Sequence, residues 1–297
     1  MRKENGVALL SPTDLAARLE LKKHPRSWRG ACPSCGYSGA FSLRTGKENR
    51  ALLYCSNGCS QEALAETLAR VADHAWEPPQ QETEDAEAVR KKKRASARRL
   101  WHRSQTLIGT LAHRYLAQRG LDASAPSPAL RFLQEASHPE GCKLPALIAC
   151  VLDSAGTIIG AHRTYLDATT AGKAQVEPPK ASLGPIWSGA IRLNPVAEEI
   201  VIGEGIESSA SAGLLMNLPA WAALSAGNLA RGLILPPEVR SIVIAADADP
   251  VGQNAAWRAA ARWRAEGRTA RVATPDQYPD FNDLLRARMS AMEAIHG

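Results

Sequence analysis

Two stretches decide the fold: residues 199–213, EIVIGEGIESSASAG, and residues 241–255, SIVIAADADPVGQNA. Each opens with an apolar, β-branched run, turns on small and acidic residues, and continues into a segment that reads as a helix. The pattern repeats around them. PAWAAL (219–224) and TARVATP (269–275) read as strands, and VGQNAAWRAAARWRAEG (251–267) reads as a helix. Strands alternating with helices predict an α/β fold, a parallel sheet covered by helices.

The acids stand where such a sheet puts chemistry. Glu204 follows one strand, between Gly203 and Gly205, and Asp247 and Asp249 follow another. In an open parallel sheet, sites lie beyond the carboxyl ends of the strands. All three acids are therefore expected at one edge. Carboxylates gathered there repel one another unless a cation compensates. Oxygen-only donors suit Mg²⁺ or Mn²⁺ rather than zinc, and magnesium commonly completes its shell with water and phosphate oxygens. Phosphoryl transfer is the natural class of reaction. The alternative is that each acid caps the helix that follows it.

Upstream the pattern changes. PALIACVLD (145–153) and TIIGAHRTYLD (157–167), joined by SAG, read as a β-hairpin, and residues 126–145, with Pro126, Pro128, Pro139 and Pro145, as loop. TLIGTLAHRYLAQRG (106–120) is patterned as a helix stopped by Gly120. Residues 88–103, AVRKKKRASARRLWHR, carry eight Lys or Arg and no acid. Lys91, Lys92, Lys93 and Arg94 could follow a single-stranded backbone with Trp101 as a stacking platform; the other reading is a solvated helix face. Residues 77–87, EPPQQETEDAE, read as a linker.

The N-terminal part holds Cys32-x2-Cys35-x19-Cys55-x3-Cys59. Two close cysteine pairs about 20 residues apart match a four-thiolate zinc site, closed and therefore structural. His24 or His74 could replace one sulfur, and Cys142 and Cys150 are expected in the core. The chain has 297 residues and a net charge of +6, from 36 Lys and Arg against 30 Asp and Glu. The charge excess is too mild to identify a partner. The N-terminus lacks the pattern of a secretory signal, and no long apolar run suggests a membrane span, so a cytoplasmic chain is expected.

IVIGEGIES and IVIAADADPVGQNAA resemble the two acidic motifs of the Toprim domain, shared by bacterial primases, topoisomerases and some nucleases. HRYLAQRGL (113–121), IIGAHRTYLD (158–167) and EPPKASLGPIWSGAIRL (177–193) resemble segments of the bacterial primase core. An N-terminal zinc ribbon, a linker, a basic subdomain and a Toprim domain follow one another as in bacterial and phage primases. There is no GxxxxGK[ST], hence no sign of an ATPase.

The resemblance implies a zinc-ribbon domain at 1–76, a linker and basic run at 77–99, a primase-core-like α+β subdomain at 100–195 and a Rossmann-like Toprim domain at 196–297. It implies synthesis of short RNA on a single-stranded DNA template from ribonucleoside triphosphates, with structural Zn²⁺ and catalytic Mg²⁺ or Mn²⁺. Glu204, Asp247 and Asp249 would be catalytic and hold the metal, joined by Asp283 or Asp280 from PDQYPDFNDLLRAR (275–288). Arg163 and Lys180 would face nucleotide or nucleic acid, and the ribbon would read template bases with Trp28, Tyr37 and Tyr54 at hand. A replicative helicase acting in trans is a further implied partner. The alternative is a Toprim nuclease, or a nucleic-acid-binding factor of a phage, plasmid or integrated element.

Overall fold

The computed structural model describes residues 11–25, 27–34, 36, 39–46, 49–55, 59, 61–71, 84–121 and 127–296. The chain divides into two compact units, Met1–Val89 and Arg90–Gly297.

In the first unit, α1 (Pro12–Arg18) starts at Ser11, whose hydroxyl accepts from the Asp14 N–H, and Pro12 occupies the first turn, where its missing donor costs nothing. Four strands follow: β1 (Lys22–His24), β2 (Ser27–Gly30), β3 (Phe41–Thr45) and β4 (Ala51–Cys55), antiparallel in the order β1-β2-β3-β4. Helix α2 (Gln61–Val71) closes the unit. Period-two alternation turns Phe41, Leu43 and Leu53 inward against Leu15, Leu64 and Leu68.

Helix α3 (Glu84–Arg103) runs through the division between the units. Residues 84–87, expected in a linker, are helical, continuous with the Lys- and Arg-rich run that follows and favours helix. Then come α4 (Leu111–Ala117) and a meander of β5 (Leu130–Ser137), β6 (Lys143–Leu152), β7 (Ile158–Tyr165) and β8 (Lys180–Leu183), antiparallel in that order. The expected hairpin is β6–β7. Strand β5 lies where loop was expected: Leu130, Phe132 and Ala136 turn inward, and the flanking prolines fall outside the strand.

The second sheet comprises β9 (Ile191–Arg192), β10 (Glu199–Gly203), β11 (Ala220–Ala222), β12 (Ser241–Ala245) and β13 (Thr269–Ala273), with helices α5 (Ile206–Met216), α6 (Pro250–Ala265) and α7 (Phe281–His296). Its order is β13-β12-β10-β11-β9, parallel except for the edge strand β9. Alternation along the two deciding strands explains why both are apolar throughout. Val201 and Val243 face one core, continuous with the meander, while Ile200, Ile202, Ile242 and Ile244 face another formed with α6 and Trp263. Gly213 lets α5 approach the sheet, since a Cβ there would lie 2.7 Å from that of Ala220. Among the described residues, no helix is long and apolar enough to cross a membrane.

Candidate metal centres and acidic cleft

In the first unit, the register Phe41↔Cys55 sets Cys55 at the end of β4, beside Cys32 and Cys59. The three sulfurs are buried and lie within 4.8 Å of one another, with Cys32 Sγ and Cys59 Sγ 3.9 Å apart. Thiolates around a tetrahedral zinc at about 2.3 Å are separated by about 3.8 Å, so this spacing fits. The chain turns tightly after Cys32: Gly36 N–H donates to the Cys32 carbonyl at 2.7 Å, and Gly36 has φ +72°. Cys35, Tyr37 and His74 lie outside the described residues. Cys150 is buried, but Cys142 is exposed, which corrects the expectation of two core thiols; Cys142 stands in the turn between β5 and β6.

In the second unit, a cleft of about 660 Å³ opens at the carboxyl ends of β10 and β12. Asp247, Asp280 and Asp283 line it, and Lys173, Lys180 and Arg119 supply cations to the same cleft. Strand β12 ends two residues before Asp247, and the Asp247 Oδ1 accepts from Ser208 Oγ at 2.9 Å. The Ala248 N–H donates to the Pro279 carbonyl at 2.9 Å, bringing Asp280 beside the Asp247 turn. Burial raises the Asp247 carboxyl above its ordinary pKa; the Ser208 bond opposes this, while Asp280 and Asp249 push it further up. Among the described residues the cysteine trio is the only group of three His, Cys, Asp or Glu side chains drawn within 4.8 Å, so the acids share this edge without forming a ready-made ligand set. Their oxygen donors are of the type a hard divalent cation takes, and such a cation would relieve their mutual repulsion.

Asp249 realises the capping alternative: its Oδ1 accepts from the Val251 and Gly252 N–H groups, both at 2.9 Å, at the N-terminus of α6. It remains within electrostatic reach of Asp247. Glu204 is half-buried in the turn between β10 and α5, next to Gly205 of the cleft wall. Asp283 also lines the cleft, with its Oδ1 3.9 Å from Arg286, and its N–H donates to Asp280 Oδ1. Of Asp280 and Asp283, Asp280 is the one whose charge acts on Asp247.

Lys180, at the start of β8, lines the cleft. Two other expected contacts need correction. Arg163 is buried and spends its guanidinium on carbonyls of Ser137 (2.6 Å), Ala181 (3.4 Å) and Ser182 (3.5 Å), tying β5, β7 and β8 together. Trp101 is 6% exposed and lies in the core with the Arg131 guanidinium 4.4 Å over its ring, so it offers no open stacking face. Lys91, Lys92 and Arg94 are exposed and Lys93 half-buried on α3. In the first unit, Trp28 packs partly buried against the core, and Tyr54 is exposed.

Glu207 is not among the residues the sequence singles out. It is buried in the first turn of α5, accepts a hydrogen bond from the Tyr115 hydroxyl, and lies 3.5 Å from Lys173 Nζ and 3.6 Å from Lys180 Nζ. Burial alone would raise its pKa, but Lys180, Lys173 and Tyr115 outweigh that and hold the carboxyl well below the usual range. Glu207 is therefore a fixed anion and a poor proton acceptor. Its position three residues after Glu204 is readable, but its partners, Tyr115 on α4, Lys173 in the β7–β8 connection and Lys180 on β8, are distant in sequence.

The comparisons divide the second unit in two. A family model described as Toprim domain matches residues 199–291, and one described as a domain of unknown function, DUF7146, matches residues 91–193. No curated protein matches the chain. Among solved structures it is similar to a DnaG primase catalytic domain bound to ssDNA, at 17% identity over 70% of this chain and 78% of that one, with a TM-score of 0.47. It is also similar to the primase fragment of the bacteriophage T7 primase-helicase protein, at 14% identity over 87% and 93%, with a TM-score of 0.39. The zinc-binding and RNA polymerase domains of the Aquifex aeolicus primase share 14% identity over 94% and 80%, with a TM-score of 0.43.

Proposed function

We propose, from the premise that residues 199–291 are a Toprim domain, that this chain is a zinc-ribbon primase that makes short RNA on single-stranded DNA from ribonucleoside triphosphates. The observation that carries the reading is the cleft itself, where Asp247 and Asp280 share one cavity with Lys173 and Lys180. Carboxylates for a divalent cation and ammoniums for phosphates are what nucleotidyl transfer needs in one place.

Asp247, with Asp280 and Asp283 in the same cleft, would hold Mg²⁺ or Mn²⁺, and Glu204 and Asp249, which do not line the cleft but stand in the turns after β10 and β12, would approach the ion from there. The bound metal would neutralise phosphoryl charge and favour ionisation of the attacking hydroxyl. Ser208 aims the Asp247 carboxylate, and the Asp249 cap fixes the turn at the start of α6. Lys180 and Lys173 would receive the triphosphate. On α3, Lys91, Lys92, Lys93 and Arg94 would follow the template backbone. Cys32, Cys55 and Cys59, with Cys35 as the fourth donor, would hold structural zinc in the template-reading module. The working division is 1–76 for that module, 77–99 for linker and basic run, 100–195 for the cation-bearing subdomain and 196–297 for the acid-bearing one.

The test is a gel assay with single-stranded DNA, labelled ATP and GTP, and Mg²⁺ or Mn²⁺. Short RNA is expected, and Asp247→Ala should lower its yield by about 100-fold or more while single-stranded DNA binding persists. The same carboxylates could serve phosphodiester hydrolysis, and shortened DNA with no RNA would replace this reading with a nuclease. The paired lysines favour a polyphosphate substrate.

A further inference from the structure

Glu207 is 8% exposed, and a carboxylate so far from water is tolerated only when its charge is answered locally. The answer comes in a fork: Lys173 Nζ faces Oε1 and Lys180 Nζ faces Oε2, while Tyr115, on α4, donates to Oε1. Both lysine side chains remain about one-third exposed, at 37% and 33%, and both line the cleft. An ammonium has three donors, so pairing with Glu207 leaves others for a ligand.

The surroundings add to the positive potential. The Arg119 guanidinium stacks 3.8 Å over the Tyr115 ring and also lines the cleft. Behind Lys180, His162 is kept neutral, its pKa lowered to about 3 by burial and then by Lys180 itself, while Arg163 is committed to carbonyls. Burial works against the charge of Lys173, and Glu207 opposes that effect. The adjacent residue, Ser208, bonds Asp247. One turn of α5 therefore anchors both the acidic and the cationic parts of the cleft.

We infer that Glu207 is a positioning residue that clamps Lys173 and Lys180 into a paired-ammonium subsite for a polyphosphate chain, held in fixed relation to Asp247. That the chain belongs to a nucleotide rests on the proposed function; the clamp itself does not.

The test is acetylation of the full chain by an N-hydroxysuccinimide ester without divalent metal, read lysine by lysine by mass spectrometry, with inorganic tripolyphosphate as the probe. Tripolyphosphate should protect Lys173 and Lys180 together and leave Lys143, paired with Glu135 on the surface, unprotected. In Glu207→Gln the midpoint of protection should rise about tenfold or more, with circular dichroism unchanged. Equal midpoints in the two proteins, or no protection in the wild type, would overturn the proposal. Should Glu207→Gln not fold, Lys173→Gln serves instead: the midpoint for Lys180 should rise by about the same factor, and an unchanged midpoint refutes a shared subsite. In the primer assay, Glu207→Gln should raise KM for ATP about tenfold with kcat within about threefold, and a fall in kcat at constant KM counts against positioning. A wild type that protects both lysines but makes no RNA refutes the primase reading and leaves the clamp standing; RNA synthesis with unprotected lysines does the reverse.

Discussion

Asp247 and Asp249 share one short turn but are used differently. Asp249 caps α6 through one carboxylate oxygen, whereas Asp247 is half-buried, aimed by Ser208 and crowded by other acids. The spacing Asp-x-Asp at a strand end located both, but it did not separate capping from metal binding, because the same backbone geometry serves each. Glu207 was not legible at all as a clamp. Its meaning depends on Tyr115, Lys173 and Lys180, which folding brings from other elements. Arg163 and Trp101 failed as ligands for the converse reason: residues that look suited to phosphate or bases were consumed by carbonyls and core. The buried carboxylate has a measurable acid signature. Glu207 is held below the ordinary value near 4.3, so its stabilisation is complete above that pH and is lost as pH falls through it toward the lower folded value. Glu207→Gln should cost about 3 kcal/mol or more at about pH 6 by urea unfolding, and the gap from wild type should narrow by about pH 3. A gap independent of pH would contradict the assignment of the charge.

At the scale of elements, the deciding strands β10 and β12 and helices α5 and α6 were readable because apolar runs and small-residue turns mark them sharply. Strand β5 is hidden among prolines, and the acids at the start of α7 mask its helical pattern. Helix α3 has an exposed basic face and a buried one. Ala97 and Trp101 pack into the interior, whereas Lys91, Lys92 and Arg94 are exposed on its N-terminal half. Replacing Lys91, Lys92, Lys93 and Arg94 together by Ala should weaken single-stranded DNA binding at every sequence. It should also lower the slope of log K against log salt by up to about 3, since each phosphate contact contributes about 0.7. Fluorescence anisotropy across a salt series measures this, and an unchanged slope would remove the run from the template path.

At the scale of the molecule, the two units differ in what holds them. The first has a small apolar cluster around its cysteines, while the second has two cores shared among sheets and helices. Structural zinc contributes about 10–16 kcal/mol to small modules of this kind, so its removal should be local in effect. A zinc chelator at neutral pH should release about one ion per chain and expose Met1–Val89 to protease, while Arg90–Gly297 stays resistant; limited proteolysis with mass spectrometry distinguishes this from collapse of the whole chain.

The junction at Glu207 also bears on inheritance. Its carboxylate lies in the stretch matched as Toprim, and its three partners lie in the stretch matched by the other family. A recombination event between residues 193 and 199 would splice anions from one parent to ammoniums from another. Offspring of such a cross would keep both folds yet strand a charge in the interior, so the two stretches should travel through evolution as a single heritable unit.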